Sequence, residues 1–305
     1  MSARTTLIAS ALTLTALVGA SACSGPSAAQ AGESVAGATT SQEPVVVHIG
    51  IGEVGPINDA VAEVAAENGI TIEYTSFSDW TLPNQALANG EIDANAFQHV
   101  AFLSTFNVAQ DEDIVPVGST VITTWGLYSD AYESVEDLPD GATIALPNDP
   151  ANWARSLFLL EDAGLITLEE GVGVYPTEED IAENPHDLTF EPVVAQQLVN
   201  TLPDVDAVVV GAVTIQRALG TTKDEALHLD DPTAPSSRPY VNTVAVRSQD
   251  ADNPVYAQIA SFYQDPRVVA AVEEDSFGAT VVVDVPAEEL VTTLGELEAL
   301  ARDAA

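Results

Sequence analysis

From residue 45 onward the chain alternates short β-branched runs with amphipathic segments, and Gly or Pro marks most handovers. This alternation restricts the fold more than any composition figure does. Strand–helix–strand order builds largely parallel sheets covered by helices, which is α/β architecture. The run 45–51 (VVVHIGI) reads as a strand. A glycine-bearing turn then leads to a helix near 56–68, with Ile57, Ala60, Val61, Val64 and Ala65 at helical spacing. Pro56 suits its first turn and Gly69 its stop. Further strands are expected near 71–77, 92–97, 115–119 and 121–128, with helices near 83–89 and 99–109. The theme then repeats. A strand near 143–146 precedes a helix with Pro150 at its first position, capped by Asn148 or Asp149 and ended by Gly164. Strands near 172–175, 188–191 and 207–210 follow, with helices near 178–183 and 193–200 between them. A strand near 241–247 and helices near 254–263, 267–275 and 287–304 complete the pattern. About 260 residues without an internal repeat suit two α/β lobes better than one sheet. Ligands in such folds bind where strand C-termini and helix N-termini converge.

The segment before this body reads differently. Residues 1–23 (MSARTTLIASALTLTALVGASAC) carry a basic start at Arg4, a short apolar stretch at 7–19, and small residues before Cys23. That is the layout of a bacterial export signal, too short and Thr-rich for a membrane span. Cys23 is the one cysteine of the chain, so it forms no internal disulfide and no Cys-based metal site. Its place resembles the lipobox of bacterial lipoproteins, in which the cysteine is diacylated and becomes the new N-terminus. Ala20 stands where that motif usually has Leu. An ordinary secretory signal that leaves a free thiol is the plainer alternative. Residues 24–44 are Gly-, Ser-, Ala- and Thr-rich and read as a flexible tether. The expectation is a signal peptide over 1–22, a lipidated Cys23 with a tether to 44, and a location on the extracytoplasmic face of the cell membrane.

Eight Lys and Arg stand against 47 Asp and Glu, a formal net charge of −39. A surface this acidic repels phosphate backbones, which argues against nucleic-acid binding. With 46% hydrophobic residues the chain still buries a core and is no acidic tail. Gly50-Ile51-Gly52-Glu53-Val54-Gly55 fits the G-x-G-x-x-G dinucleotide fingerprint, with Glu73 further on. Short glycine patterns recur by chance, and an exported protein meets little NAD. The plainer reading is a tight strand-to-helix turn whose backbone approaches a ligand or the other lobe. There is no G-x-S-x-G and no H-E-x-x-H, and His48, His99, His186 and His228 lack metal-ligand spacing. No cofactor, metal or catalytic residue is expected, and an extracytoplasmic enzyme is the weaker alternative.

Two stretches are more informative. FSDWTLPN at 77–84 continues to GEIDANAFQHV at 90–100, and LPNDPANWAR occupies 146–155. The second sets Arg155 in the second turn of a capped helix. In a chain this poor in cations, a guanidinium there can hold a carboxylate bidentately, helped by the positive helix end. A surface ion pair is the alternative. Together with GLYS at 126–129, LPDGATIALPNDPANWAR, LLEDAGLI and YVNTVAV, these motifs resemble the substrate-binding lipoproteins of methionine ABC importers, the MetQ/NlpA type. The resemblance covers about residues 45–283. It implies a two-lobed periplasmic-binding-protein-like fold of type II topology, with 45–127 plus 242–305 as lobe 1 and 128–241 as lobe 2. It also implies a small amino acid, methionine, held between the lobes, no chemistry performed on it, and an ABC permease with its ATPase as partners.

By the same resemblance Arg155 binds the amino-acid carboxylate and Asn242 meets the ligand's polar end. Trp80, Phe97, His99 and Phe102 line the side-chain pocket, and Asn148 and Asn152 belong to the binding loop, Asn148 with capping as its alternative role. Taken singly, Phe97 and Phe102 are equally read as core and His99 as a satisfied core histidine. Aromatic walls suit a thioether, because sulfur–ring contacts are favourable. The chain also departs from the pattern. The family usually has an Asn-Gly-Asn-aromatic run after the strand that here begins at Ala207. Gly211-Ala212-Val213-Thr214 stands in its place. Ala96 stands where an aromatic residue is usual. A different small ligand is therefore the alternative to methionine, and Thr214 is a candidate replacement for the missing contact.

Overall fold

The computed structural model describes residues 45–303. Cys23 and the expected signal and tether lie outside them. The first half runs β1 (Val45–Ile51), α1 (Pro56–Glu67), β2 (Ile70–Ser76), α2 (Leu82–Ala88), β3 (Ala94–Asn95), α3 (Val100–Gln110), β4 (Ile114–Ser119), β5 (Val121–Thr123) and β6 (Trp125–Tyr128). Then come β7 (Thr143–Pro147), α4 (Pro150–Asp162), β8 (Thr167–Leu168), β9 (Ile181–Glu183), β10 (Thr189–Val193), α5 (Leu198–Thr201), β11 (Ala207–Gly211), α6 (Ala212–Leu219) and β12 (His228–Leu229). The chain closes with β13 (Thr243–Arg247), α7 (Pro254–Ser261), α8 (Pro266–Ser276), β14 (Thr280–Val282) and α9 (Ala287–Asp303).

Two five-stranded sheets form the two lobes, ordered β2-β1-β3-β13-β4 and β10-β7-β11-β6-β12. In each, three strands are parallel and the fourth in spatial order is antiparallel to both neighbours. That fourth strand is delivered across the waist of the molecule. β6 enters the second sheet straight from the first, and β13 returns to the first after the second is complete. This reciprocal exchange is the type II topology. A two-stranded ribbon of β5 and β14 lies beside the first crossing. Pairing in the second sheet begins at Trp125, so the expected break between 127 and 128 cuts through β6.

The sequence explains the layers. Central strand β11 is buried at every position, as a strand with helices on both faces must be. On α9, Leu290, Leu294, Leu297 and Ala301 form one buried stripe that packs onto α3 and β4 and fixes the C-terminus to the first lobe. Of the parallel strands, β1, β7 and β11 run toward the gap between lobes, and their C-terminal turns deliver Gly52, the start of α4 and the start of α6 to it.

Local expectations failed where packing overrode pattern. The stretch 121–128 is two strands, because the backbone of Thr124 bonds elsewhere, to Ala279 and Ala212. Only Ala94–Asn95 of 92–97 is strand, and the chain then turns into a buried amide cluster. No strand forms at 172–175. Val174 and Tyr175 pack instead on the first lobe's core, with Tyr175 Oη 2.5 Å from Ser104 Oγ. The helix expected near 178–183 is one 3-10 turn followed by β9. Of 193–200, Val193 still belongs to β10, and only the short α5 is α-helical. Helix α6 was not expected, since Gly211 caps it with no polar side chain and it follows β11 directly.

The amide cluster shapes the wall of the first lobe. Asn84 and Asn95 are fully buried, and Gln98 nearly so. Asn84 Nδ2 donates to Gln98 Oε1 at 2.7 Å, while Asn95 Nδ2 and Gln98 Nε2 donate to Asn84 Oδ1 at 2.7 and 2.6 Å. The three side chains satisfy one another and lock the turn that presents Phe97 and His99. Each orphaned buried group costs about 1–3 kcal/mol, so Asn84→Ala is expected to lose about 2–4 kcal/mol in chemical denaturation.

Candidate ligand-binding cleft

Between the lobes lies a cleft of about 580 Å³. Seven of the residues expected to bind a ligand line it together: Trp80, Phe97, His99 and Phe102 from the first lobe, Asn152 and Arg155 from α4, and Asn242 from the return crossing. The eighth does not. Asn148 is exposed, lies off the cleft, and gives only its backbone N–H, to Val193. The cap of α4 is the half-buried Asp149, whose carboxylate accepts the Asn152 N–H at 2.9 Å.

The aromatic wall is built edge to face. Phe97 and Phe102 meet with centroids 6.0 Å apart, and His99 meets Tyr240 at 5.3 Å. His99 is the N-cap of α3. Its Nδ1 accepts the Phe102 N–H at 3.1 Å, which places the ring proton on Nε2. That N–H donates to Asn152 Oδ1 at 2.9 Å, across the gap between the lobes. Asn152 Nδ2 in turn donates to Asp149. A cationic imidazole could not accept from Phe102. Burial, reinforced by the nearby Arg155 cation, pushes the His99 ring down to about 3 against the upward pull of the Asn152 hydrogen bond. His99 is thus a neutral connector between lobes. Burial likewise pushes the Asp149 carboxyl up, against its hydrogen bonds from Asn152.

Arg155 is only 3% exposed, so its charge has to be balanced inside the protein. Asp230 does this. Its Oδ2 accepts from Arg155 Nε at 2.9 Å and from Nη2 at 2.6 Å, while Nη2 also donates to the Thr123 carbonyl at 2.8 Å. The guanidinium is stacked between the rings of Trp125 and Tyr240, at 5.0 and 4.5 Å from their centroids. Among the described residues Nη1 has no protein acceptor, and it is the atom left for a ligand.

The glycine fingerprint turns out to serve packing. A Cβ on Gly50 would stand 2.6 Å from Ile92, and on Gly55 3.4 Å from Arg217 of the opposite lobe. On Gly52 it would stand 3.4 Å from the Trp80 indole nitrogen. At the cleft mouth Arg217 of α6 reaches Glu53 at 3.0 Å and also Asp275, both in the first lobe. Sequence reasoning missed Trp125, Tyr240, Asp230 and Gln196. Trp125, one of three tryptophans, carried a visible signal. Asp230, one of 47 acids, carried none. Nothing in the described residues groups three or more His, Cys, Asp or Glu as a metal site, and no described helix is long and apolar enough to cross a membrane.

A larger groove of about 1090 Å³ lies on the far side of Arg155, between α4, the 230–240 segment and α9. Its walls include Glu161, Asp162, Asp231, Glu289 and Glu296. Phe158 and Tyr240 are its aromatic residues, against Phe77, Trp80, Phe97, Phe102 and Trp125 in the inter-lobe cleft, which is therefore the better ligand site.

The chain is similar to known proteins. The family model described as NlpA lipoprotein matches residues 45–284. The chain is similar to the D-methionine-binding lipoprotein MetQ of Salmonella typhimurium, at 36% identity over 77% of this chain and 88% of that protein. It is similar in structure to protein PG110 from Staphylococcus aureus, with a TM-score of 0.78 and 36% identity over 82% of this chain and 99% of that one. A nutrient binding protein from Burkholderia cenocepacia bound to methionine gives 0.72 and 35% over 78% and 99%.

The neutral His99 yields a pH prediction. Its folded pKa lies below its unfolded value, so between about pH 6.5 and about 3 the unfolded chain takes up a proton that the folded one refuses. Stability from this residue is therefore complete above that window and is lost on acidification, by about 1.4 kcal/mol per pH unit. Denaturation of wild type and His99→Gln at pH 7 and 5 should show the steeper acid loss in wild type.

Proposed function

Because the chain belongs to the NlpA lipoprotein family, we propose that it is the lipid-anchored, extracytoplasmic substrate-binding protein of an ABC importer and holds a small amino acid, methionine, between its lobes. It is not an enzyme. One relative is named for binding D-methionine, and one solved neighbour is a nutrient binding protein. The observation that carries the reading is the meeting of Trp80, Phe97 and Phe102 with Arg155 in one inter-lobe cleft. Aromatic walls accept a thioether side chain, and the remaining Arg155 donor meets the carboxylate. Asn242 lines the same cleft, and its side chain makes no hydrogen bond among the described residues, which leaves it for the ligand's polar end. Closure of the lobes over the ligand creates the form that docks on the permease.

Gly211 favours a second reading, a different small amino acid, because the residue expected to hydrogen-bond the ligand is missing there. Isothermal titration separates the two. L- or D-methionine should bind saturably and raise the melting temperature, and Arg155→Ala should abolish both effects. Wild-type protein that stays silent with both isomers refutes methionine. For the anchor, Cys23→Ala should move the protein from the membrane fraction to the soluble fraction of the expressing cell.

A further inference from the structure

The second-lobe wall of the cleft carries hydrogen-bonding groups that the protein does not use. Trp125 is 7% exposed and lines the cleft. Its backbone N–H is bound by Asp230, but among the described residues nothing accepts its indole N–H. Its Nε1 stands 3.4 Å from where a Cβ on Gly211 would be, and the Thr214 hydroxyl stands 3.5 Å from the same point. Gly211 is the N-cap of α6 and brings no capping side chain, so beyond the Ala212 N–H, which the Thr124 carbonyl accepts, the first turn of that helix has no side-chain cap where it meets the cleft. Across the same wall, Gln196 lines the cleft with its carboxamide nitrogen buried and unpaired.

These groups share one chemistry. An indole N–H, a carboxamide N–H and an uncapped helix start are donors, and the last adds positive potential. Trp125 stacks on Arg155, whose charge Asp230 already balances, and the other two line the same cleft. A ligand carboxylate reaching Arg155 alone meets an ion pair and one free donor. Its second oxygen needs further donors, and this wall holds them.

We propose that Trp125, with Gln196 and the uncapped start of α6, completes the carboxylate subsite of the cleft and so selects ligands with a free carboxylate. The proposal rests on reading the cleft as an amino-acid site. It explains why a glycine at 211 is compatible with binding, since any side chain there would stand against the Trp125 donor.

The test titrates wild type, Trp125→Phe and Gln196→Met with L-methionine and with methioninol, in which a hydroxymethyl replaces the carboxylate. The phenyl ring keeps an aromatic face toward Arg155 and removes the donor together with part of the ring, an effect that the methioninol titration controls for. Each variant should bind methionine about ten- to a hundredfold more weakly, as expected for losing a hydrogen bond to a charged group. Methioninol should bind wild type and variants alike, because its single oxygen replaces the one at Arg155 and it lacks the second oxygen that this wall would hold. A merely structural role would weaken both ligands equally and would overturn the proposal, as would variants that bind methionine like wild type. If Trp125→Phe does not fold, Gln196→Met decides by the same comparison. If methionine leaves wild type silent, the methionine reading fails by itself. The comparison then uses the first of the other proteinogenic amino acids that binds, with its amino alcohol, and binding by none of them overturns the subsite too.

Discussion

Each lobe is completed by a strand that the other half of the chain supplies. β6 cannot pair in the second sheet unless the first crossing is in place, and β13 cannot separate β3 from β4 until the chain has returned. The cleft inherits its geometry from this exchange. Thr123 and Trp125 flank the outward crossing and Asn242 opens the return, so the residues that could hold a ligand sit on the connections themselves. A movement of one lobe against the other is therefore a movement of the site.

Cations are scarce, and their placement is correspondingly informative. Arg155 is buried with Asp230 inside the cleft wall. Arg217, Lys223 and Arg238 of the second lobe all reach acceptors on the first, at Glu53 and Asp275, at the Gly278 carbonyl and at Glu289. Two acidic bodies are thus held together by a few positive groups, with the neutral His99–Asn152 contact between them. Exposed pairs of this kind are individually weak. Their value here is that nearly every other charge on the facing surfaces is negative.

The α/β class, the two lobes and most long elements were legible in the sequence, because Pro150, Gly69, Gly164 and the apolar periodicities act locally. The aromatic wall and Arg155 were legible through their motifs. What stayed hidden depends on distant partners. Asp230 has no local mark and matters only because Arg155 is buried beside it. Asn148 shares a motif with Asn152, but one residue's rotation about the cap turns it to solvent. Helix α6 has neither a polar cap nor a proline, and its glycine cap reads as a turn. Tyr175 sits in a stretch with strand-like residues, yet its hydroxyl finds Ser104 in the opposite lobe and no strand neighbour.

The Arg217 contacts have a consequence for the medium in which the protein works. Opening the cleft strips one guanidinium from two carboxylates at contact distance, whereas the repulsion between the acidic lobes acts over many ångströms. Dissolved salt shields the long-range force far more than the contact pair. Dissolved salt therefore weakens what pushes the lobes apart more than it weakens the contact that joins them.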